Sequence, residues 1–393
     1  MISLQAQTDG VAVQVSESDS AAVALPWPQN VQARLDTLML DPLLERTQLG
    51  LVVYDLTADS TIYACGARQT LRPASTMKLL TAVTAIDLLG PDYQLRTSLR
   101  YTGQVSDSVL VGDLYCVGGM DPMFSGDDMR AFAESVRGLG VKAVRGRIVA
   151  VNSFKEENLL GEGWCWDDDN PQLSPLLVDR KDEFLARFQQ ALRDAGLEVD
   201  APCTIGELPR KTLLLSTCSH SLREVLEPML KDSDNLYAES VFFQIAAQLG
   251  VRPAKAAHAR QLIKKELVKA GVSGVPYKIA DGSGLSLYNY VTPELMVSLL
   301  RYAYHRSNLY MTLYAALPIA GQDGTLKKRM TGLATNGKVR AKTGTLTGIS
   351  SLAGYCMTPS CHMLAFCIIN QGVMKTADGR AFQDRVCEAL ARP

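Results

Sequence analysis

The chain has 393 residues, of which 47% are apolar and 21% charged, and its net charge is −1. That length suggests two or three domains with a sizeable core, and the composition excludes an intrinsically disordered chain. A near-neutral field also excludes long-range attraction to nucleic acid or to an anionic membrane, so any partner is recognised locally.

Residues 1–25 are rich in Ser, Ala, Gln and Asp without periodicity and read as a mobile leader ahead of a domain that starts near Pro26. No basic segment followed by an apolar one is visible there, so no secretory signal is legible. Gly50 to Asp55 and Thr61 to Gly66 are β-rich runs around Thr57-Ala58-Asp59-Ser60, a hairpin signal. Thr76 to Leu89 carries apolar residues at helical spacing and stops at Gly90-Pro91. From about Thr97 to Ser216 the texture changes to short strands, helices near 127–139 and 182–195, and turns such as Gly118-Gly119 and Asp167-Asp168-Asp169-Asn170-Pro171. This divides the chain into one domain at 26–96 and 216–393 and an inserted module at 97–215. Helical patterns resume at Leu222–Lys231 and Leu236–Leu249, broken at Asp232–Asn235, and continue at 256–270 and 293–305. Strands follow at Gly337–Lys342, Gly348–Met357 and Met363–Asn370, then a helix near 377–391. Strands from both chain ends flank a helical middle, so one sheet assembled from distant segments is expected.

No run reaches the eighteen or so apolar residues of a spanning helix; Leu364 to Ile369 reads as a buried strand instead. Nine cysteines without a C-x-x-C pair, and only four histidines, offer no zinc-ligand spacing. Cys356 and Cys361 flank the turn Thr358-Pro359-Ser360, where a cross-hairpin disulfide would be possible; buried free thiols are the plainer reading of cysteines in such runs.

Three short motifs carry the chemistry. Ser75-Thr76-Met77-Lys78 sets a hydroxyl and an amine three residues apart, on one face at a helix start, where N–H groups stabilise an oxyanion and a lysine of lowered pKa takes the serine proton. About one S-x-x-K arises by chance in a chain like this, usually as an N-cap and a solvated lysine. Ser233-Asp234-Asn235 lies in a break between helices, where a hydroxyl can relay a proton and an amide can orient a carbonyl; its bland role is capping the helix at Leu236, with Asp234 serving only the cap. Lys342-Thr343-Gly344 ends a predicted strand, its glycine leaving room for a substrate backbone. In this order and these contexts the triplet is that of β-lactamases and penicillin-binding proteins.

With these motifs the chain resembles the penicillin-recognising serine enzymes, and among them the D-Ala-D-Ala carboxypeptidase/endopeptidase family with a large insert between the first two motifs. The likeness runs on through Arg72-Pro73-Ala74, Ala280-Asp281-Gly282-Ser283-Gly284-Leu285-Ser286, Leu317 to Leu326 and Ala341 to Leu346, and in the insert through Gly119-Met120-Asp121-Pro122 and Val144 to Val149. The insert looks shorter than in many members. The resemblance implies an α/β (α+β) fold of the penicillin-binding/β-lactamase-like transpeptidase type, an antiparallel sheet with helices on both faces and a smaller inserted α+β module.

The resemblance also implies roles. Ser75 attacks the carbonyl of the penultimate D-Ala, with the N–H groups of Ser75 and Thr345 as oxyanion hole. Lys78 is the general base, kept neutral by burial and by the positive charge of Lys342. Ser233 passes the proton to the leaving amine, Asn235 holds the substrate amide, and Lys342 and Thr343 bind the terminal carboxylate beside Gly344. No metal or organic cofactor is called for. Peptidoglycan stem peptides are the implied substrates and β-lactams the implied inhibitors, and a substrate outside the cytoplasm implies export, to the periplasm or cell wall. Trp164 and Trp166 read as packing or as a groove lining, Asp281 and Ser283 as turn-fixing, Met77 as core. The rivals are a β-lactamase, against which no E-x-x-L-N segment is found, and an inactive peptidoglycan-binding scaffold.

Overall fold

The computed structural model describes residues 25–166 and 170–393, so the expected leader lies, apart from Leu25, outside the described residues, as do three residues of the Asp167 turn. Strands β1 (Gln48–Asp55) and β2 (Ser60–Cys65) form the expected hairpin, turning at Asp59. Further strands are β3 (Gln94–Tyr101), β4 (Gln104–Ser106), β5 (Val109–Val111), β6 (Leu114–Val117), β7 (Ala143–Arg145), β8 (Ile148–Val151), β9 (Glu198–Val199), β10 (Cys203–Ile205), β11 (Leu213–Ser221), β12 (Val339–Leu346), β13 (Ile349–Met357) and β14 (Met363–Gln371). Helices are α1 (Gln29–Leu38), α2 (Lys78–Leu89), α3 (Gly126–Arg137), α4 (Phe184–Asp194), α5 (Leu222–Lys231), α6 (Asn235–Ala247), α7 (Ala256–Lys269), α8 (Pro293–Tyr304), α9 (Ser307–Ala316) and α10 (Thr376–Ala391).

The main sheet has the order β12-β13-β14-β1-β2 and is antiparallel throughout, joining strands from the two ends of the chain. Both faces are covered, which is why β14 reads as a continuous apolar run rather than an alternating one. Leu364, Phe366 and Ile368 pack with α1 and α10 through Val31, Leu35, Phe382 and Val386, while Ala365, Cys367 and Ile369 face the helical layer of α2, α5, α6 and α8. Fully burying each large side chain of this kind stabilises the fold by about 1.5–3 kcal/mol. The helix α2 runs through that layer with Leu79, Leu80, Val83 and Ile86 buried, so little of it is amphipathic.

A second sheet, β10-β8-β6-β3-β11, is mixed parallel and antiparallel, and a small sheet β4-β5-β7-β9 lies in the same stretch of chain. Their apolar residues join α3 and α4 in a separate core around Phe124, Phe132, Phe184 and Phe188. These strands begin at Gln94 and end at Ser221, so they run past 97 and 215 on both sides.

One open alternative closes and one local expectation fails. All nine cysteines are free; Cys356 is buried and pairs in register with Leu364, whereas Cys361 is exposed in the turn, so no cross-hairpin disulfide forms. Lys342-Thr343-Gly344 lies inside β12 instead of at its end, because the hairpin to β13 closes only at Thr347-Gly348, where Gly348 takes φ +75°.

Candidate active site

Ser75 sits in a 3-10 turn, Ala74–Met77, which leads directly into α2 at Lys78. Side chains tie this turn down. Thr76 Oγ1 and Ser351 Oγ both donate to the Pro73 carbonyl, at 2.7 and 2.6 Å. Ala74 is held at φ +47°, a left-handed conformation that costs a non-glycine residue on the order of 1–3 kcal/mol. The turn Asp281 to Ser286 presses on it so closely that a Cβ on Gly284 would lie 1.9 Å from the Ala74 carbonyl oxygen. On the other side stands β12, where a Cβ on Gly344 would meet Ser351 Oγ at 2.2 Å and the Ser75 nitrogen at 2.9 Å. The glycine of the third motif is therefore required by the turn that carries Ser75, a tighter constraint than the substrate approach expected from sequence.

Lys78 is fully buried, and its ammonium nitrogen lies 3.1 Å from Ser75 Oγ, 2.7 Å from Asn235 Oδ1 and 2.8 Å from the Ser283 carbonyl. Burial lowers its pKa to about 8, against the opposing pull of Asp281, Glu239 and Asp234. Lys342, also fully buried, donates to Ser233 Oγ and to the Thr343 carbonyl, both at 2.8 Å. Its pKa falls well below the usual lysine value through burial and then through the nearby Lys78 charge. The sequence expectation had the influence running the other way. Among the described residues no carboxylate supports Lys342 as Asp281, Glu239 and Asp234 support Lys78, so in the free site the shared proton rests on Lys78.

The second motif divides its labour. Asp234 is the N-cap of α6 and accepts from the Tyr237 N–H at 3.3 Å, while its carboxylate also pairs with Arg180. Ser233, just before it, is at φ +65°, which swings its hydroxyl to Lys342. Asn235, the first residue of α6, points its amide oxygen at Lys78 rather than at open space. Thr343 Oγ1 donates to Thr325 Oγ1 at 2.8 Å, and Thr345 is exposed on the same strand. Thus Ser75, Lys78, Ser233, Asn235 and Lys342 are joined by direct hydrogen bonds through Asn235–Lys78–Ser75 and Ser233–Lys342, with Thr343, Gly344 and Thr345 alongside.

One buried group escaped the sequence reading. Glu239 Oε1 accepts from the N–H groups of Gly282 and Ser283 at 3.0 and 2.7 Å, fixing the carbonyl that holds Lys78. Burial raises the Glu239 pKa to about 8, so it is largely protonated near neutrality. The signal was its place one helical turn after Asn235, an acid in an otherwise apolar helix. Asp281 does fix its turn, accepting from Gly284 N, Ser286 N and Asn289 Nδ2, and Trp164 Nε1 donates to it at 2.8 Å. Trp166 is 85% exposed and shares none of this packing; Met77 is core.

An antiparallel sheet covered on both faces by helices, with a serine and a buried lysine at the start of the central helix, defines a penicillin-binding type of serine hydrolase. The chain belongs to the D-Ala-D-Ala carboxypeptidase 3 (S13) family, which it matches over residues 31–181 and 172–392, and it is a serine DD-peptidase. It is 28% identical to a D-alanyl-D-alanine carboxypeptidase of Actinomadura sp., over 91% of this chain and 84% of that one. Among solved structures it is similar to penicillin binding protein 4 of Haemophilus influenzae, with a TM-score of 0.83 at 24% identity, covering 93% of this chain and 100% of that one. It also resembles a predatory peptidoglycan endopeptidase of Bdellovibrio bacteriovorus in fold, with a TM-score of 0.60 at 15% identity over 88% and 92% of the two chains. Among the described residues no helix is long and apolar enough to cross a membrane.

Proposed function

We propose that this enzyme hydrolyses the peptide bond after a D-Ala residue in peptidoglycan stem peptides, through an ester on Ser75, and that β-lactams acylate the same serine. The observation that carries the reading is the placement of Lys78 between Ser75 Oγ and two fixed acceptors, Asn235 Oδ1 and the Ser283 carbonyl. A neutral amine has two N–H donors and one lone pair. With both donors taken by Asn235 and Ser283, the lone pair is left for the Ser75 hydroxyl, the arrangement a general base requires.

Substrate itself arms that base. The terminal carboxylate of the peptide binds Lys342 and Thr343 by charge-assisted hydrogen bonds and supplies the counter-charge that Lys342 lacks. The proton of the lysine pair then favours Lys342, whose cation penalises a second charge on Lys78. Ser75 Oγ attacks the carbonyl carbon as its proton passes to Lys78, and the N–H groups of Ser75 and Thr345 hold the oxyanion. Asn235 Nδ2, the far end of the amide anchored on Lys78, donates to a substrate carbonyl. Collapse of the tetrahedral adduct breaks the C–N bond, and Ser233 delivers a proton to the departing amine from the Lys342 side. Water then cleaves the ester, returning the serine proton.

Deacylation also argues for a peptidase over a β-lactamase. The three carboxyl groups near Lys78 are already committed, Glu239 to two backbone N–H groups, Asp281 to its turn and Asp234 to the α6 cap and Arg180, so none is free to activate water at the ester. The inserted segment, which we take as a module of its own, reaches the site at Arg180, in the turn before α4, whose guanidinium pairs with Asp234. Since peptidoglycan lies outside the cytoplasm, the reading places the enzyme beyond the inner membrane. The test measures, on one preparation, D-Ala release or cross-link cleavage from defined muropeptides and the lifetime of the penicilloyl ester. Peptide turnover with an ester lasting minutes is expected; rapid penicillin turnover without peptide cleavage overturns the reading.

A further inference from the structure

Away from the catalytic residues, β11 and the turn at Gly119 to Pro122 bring together a group of side chains that the peptidase chemistry does not use. Cys218 and His220 alternate along β11, so both point to one face, while Thr217 and Ser219 on either side of Cys218 face solvent. Asp121, buried in the turn, places a carboxylate oxygen 2.7 Å from His220 Nδ1, and its other oxygen accepts from the Met123 N–H at 3.0 Å. One ligand-capable atom from each of Asp121, Cys218 and His220 lies within 4.8 Å of the other two. A fourth group stands beside them. Asp128, in the first turn of α3, lies close enough for its charge to act on both Cys218 and His220.

We propose that Asp121, Cys218 and His220 form a zinc site, with Asp128 or water as the fourth ligand. A thiolate, an imidazole and a carboxylate are the donors zinc takes, whereas magnesium and calcium demand oxygen alone. Zn–S and Zn–N bonds of about 2.3 and 2.0 Å in a tetrahedron separate ligand atoms by about 3.3–3.6 Å, so the Asp121–His220 pair would open from 2.7 Å while the thiol, within 4.8 Å, draws in. Zinc would take Cys218 as a thiolate and Asp121 as a carboxylate, two anionic ligands that neutralise the divalent charge, with His220 as a neutral nitrogen donor.

The position gives such a site a mechanical role. The strand β11 continues into α5 through the Ser221 cap and on to Ser233, while the Gly119 carbonyl accepts from Gln244 Nε2 on α6 at 2.6 Å. A metal here would clamp the second sheet to the two helices that carry Ser233 and Asn235, without touching either.

The test uses the full chain, stripped by a chelator and reloaded with zinc alone. About one zinc per chain is expected to survive gel filtration, and cobalt(II) in its place should show a thiolate charge-transfer band in the near ultraviolet. Cys218→Ser should remove the band, and both Cys218→Ser and His220→Asn should weaken zinc affinity by about tenfold or more, with penicillin labelling of Ser75 kept as the check of folding. Equal zinc retention by wild type and both labelled variants would place the metal on other thiols and overturn the proposal. So would a wild-type chain that retains no zinc. Where a variant fails the folding check, alkylation mapping of the wild type decides: Cys218 shielded by zinc supports the site, and Cys218 alkylated equally with and without zinc overturns it.

Discussion

The two sheets of this molecule bury different things. Around the main sheet, Lys78, Lys342, Glu239, Asp281, Ser283 and Asn289 are all at most 1% exposed, and two non-glycine residues beside the catalytic groups, Ala74 and Ser233, hold positive φ. Around the second sheet, the interior between β3, β6, β8, α3 and α4 is aromatic and aliphatic, and charges such as Arg137–Glu134, Arg145–Glu198 and Arg147–Asp113 pair at the surface. Buried charges are expensive unless every polar atom is partnered, so the first region gives up stability to hold reacting groups in place, while the second contributes stability and presents Arg180 to Asp234. Substitutions in one region should therefore separate chemistry from stability in a way that substitutions in the other do not.

The sharpest contrast is Ser75→Ala, which removes one half-buried oxygen and should abolish penicillin labelling while leaving the melting temperature within a few degrees. Labelling of a folded Ser75→Ala protein at another residue would end the assignment. Next comes Lys78→Ala. Acylation should fall by about 10²–10⁴-fold, more than non-covalent β-lactam binding falls. In the free enzyme the pair's one proton rests on Lys78 and is lost above about pH 8, and the mechanism needs that proton on Lys342 to hold the substrate carboxylate, so kcat/KM for acylation should fall as pH rises through about 8. A pH-independent acylation rate from pH 6 to 9 would contradict transfer of that proton from Lys78 to Lys342.

Gly344→Ala tests whether the two parts of the first region are pressed together as closely as they look. The new methyl would meet Ser351 Oγ and the Ser75 nitrogen, so acylation should slow by about tenfold or more and stability should drop by about 1–3 kcal/mol. Unchanged kinetics would mean that β12 is free to move away from the nucleophile. Glu239→Gln should do much less, within about threefold in acylation rate, because the amide oxygen can still accept from Gly282 and Ser283 and the native acid is largely protonated near neutrality. Glu239→Ala, leaving two buried N–H groups unpaired, should cost about 1–3 kcal/mol for each. A comparable loss in both variants would show that the charge, not the hydrogen bonds, is what the site needs.

The smallest effect on chemistry is expected from the second region. Phe188 is fully buried among Phe124, Phe132 and Phe184 neighbours, so Phe188→Ala should destabilise by about 3–5 kcal/mol while the folded fraction acylates at the wild-type rate. A lowered rate per folded molecule would show that the second sheet positions the catalytic groups as well as stabilising them.

What the sequence determined by itself was local and chemical. Helical periodicity marked α2 and α5 to α8, alternation and turn residues marked the β1–β2 hairpin, and three motifs named the hydroxyls and amines of the site, because propensity, capping and residue type act over a few positions. It also misjudged where long-range contact decides the outcome. Gly344 was read as room for substrate, yet its constraint comes from Ser351 and Ser75; Cys356 and Cys361 looked opposed across a turn, yet the β13–β14 register pairs Cys356 with Leu364. The sign of the lysine coupling was likewise beyond reach, since it depends on which amine Asp281, Glu239 and Asp234 approach. Only the tertiary structure brought Ser283 and Asn235 to Lys78 and Asp121 to Cys218 and His220. Burial and Coulomb interaction depend on distance in space, and spacing along the chain carries that distance only within a single helix or strand.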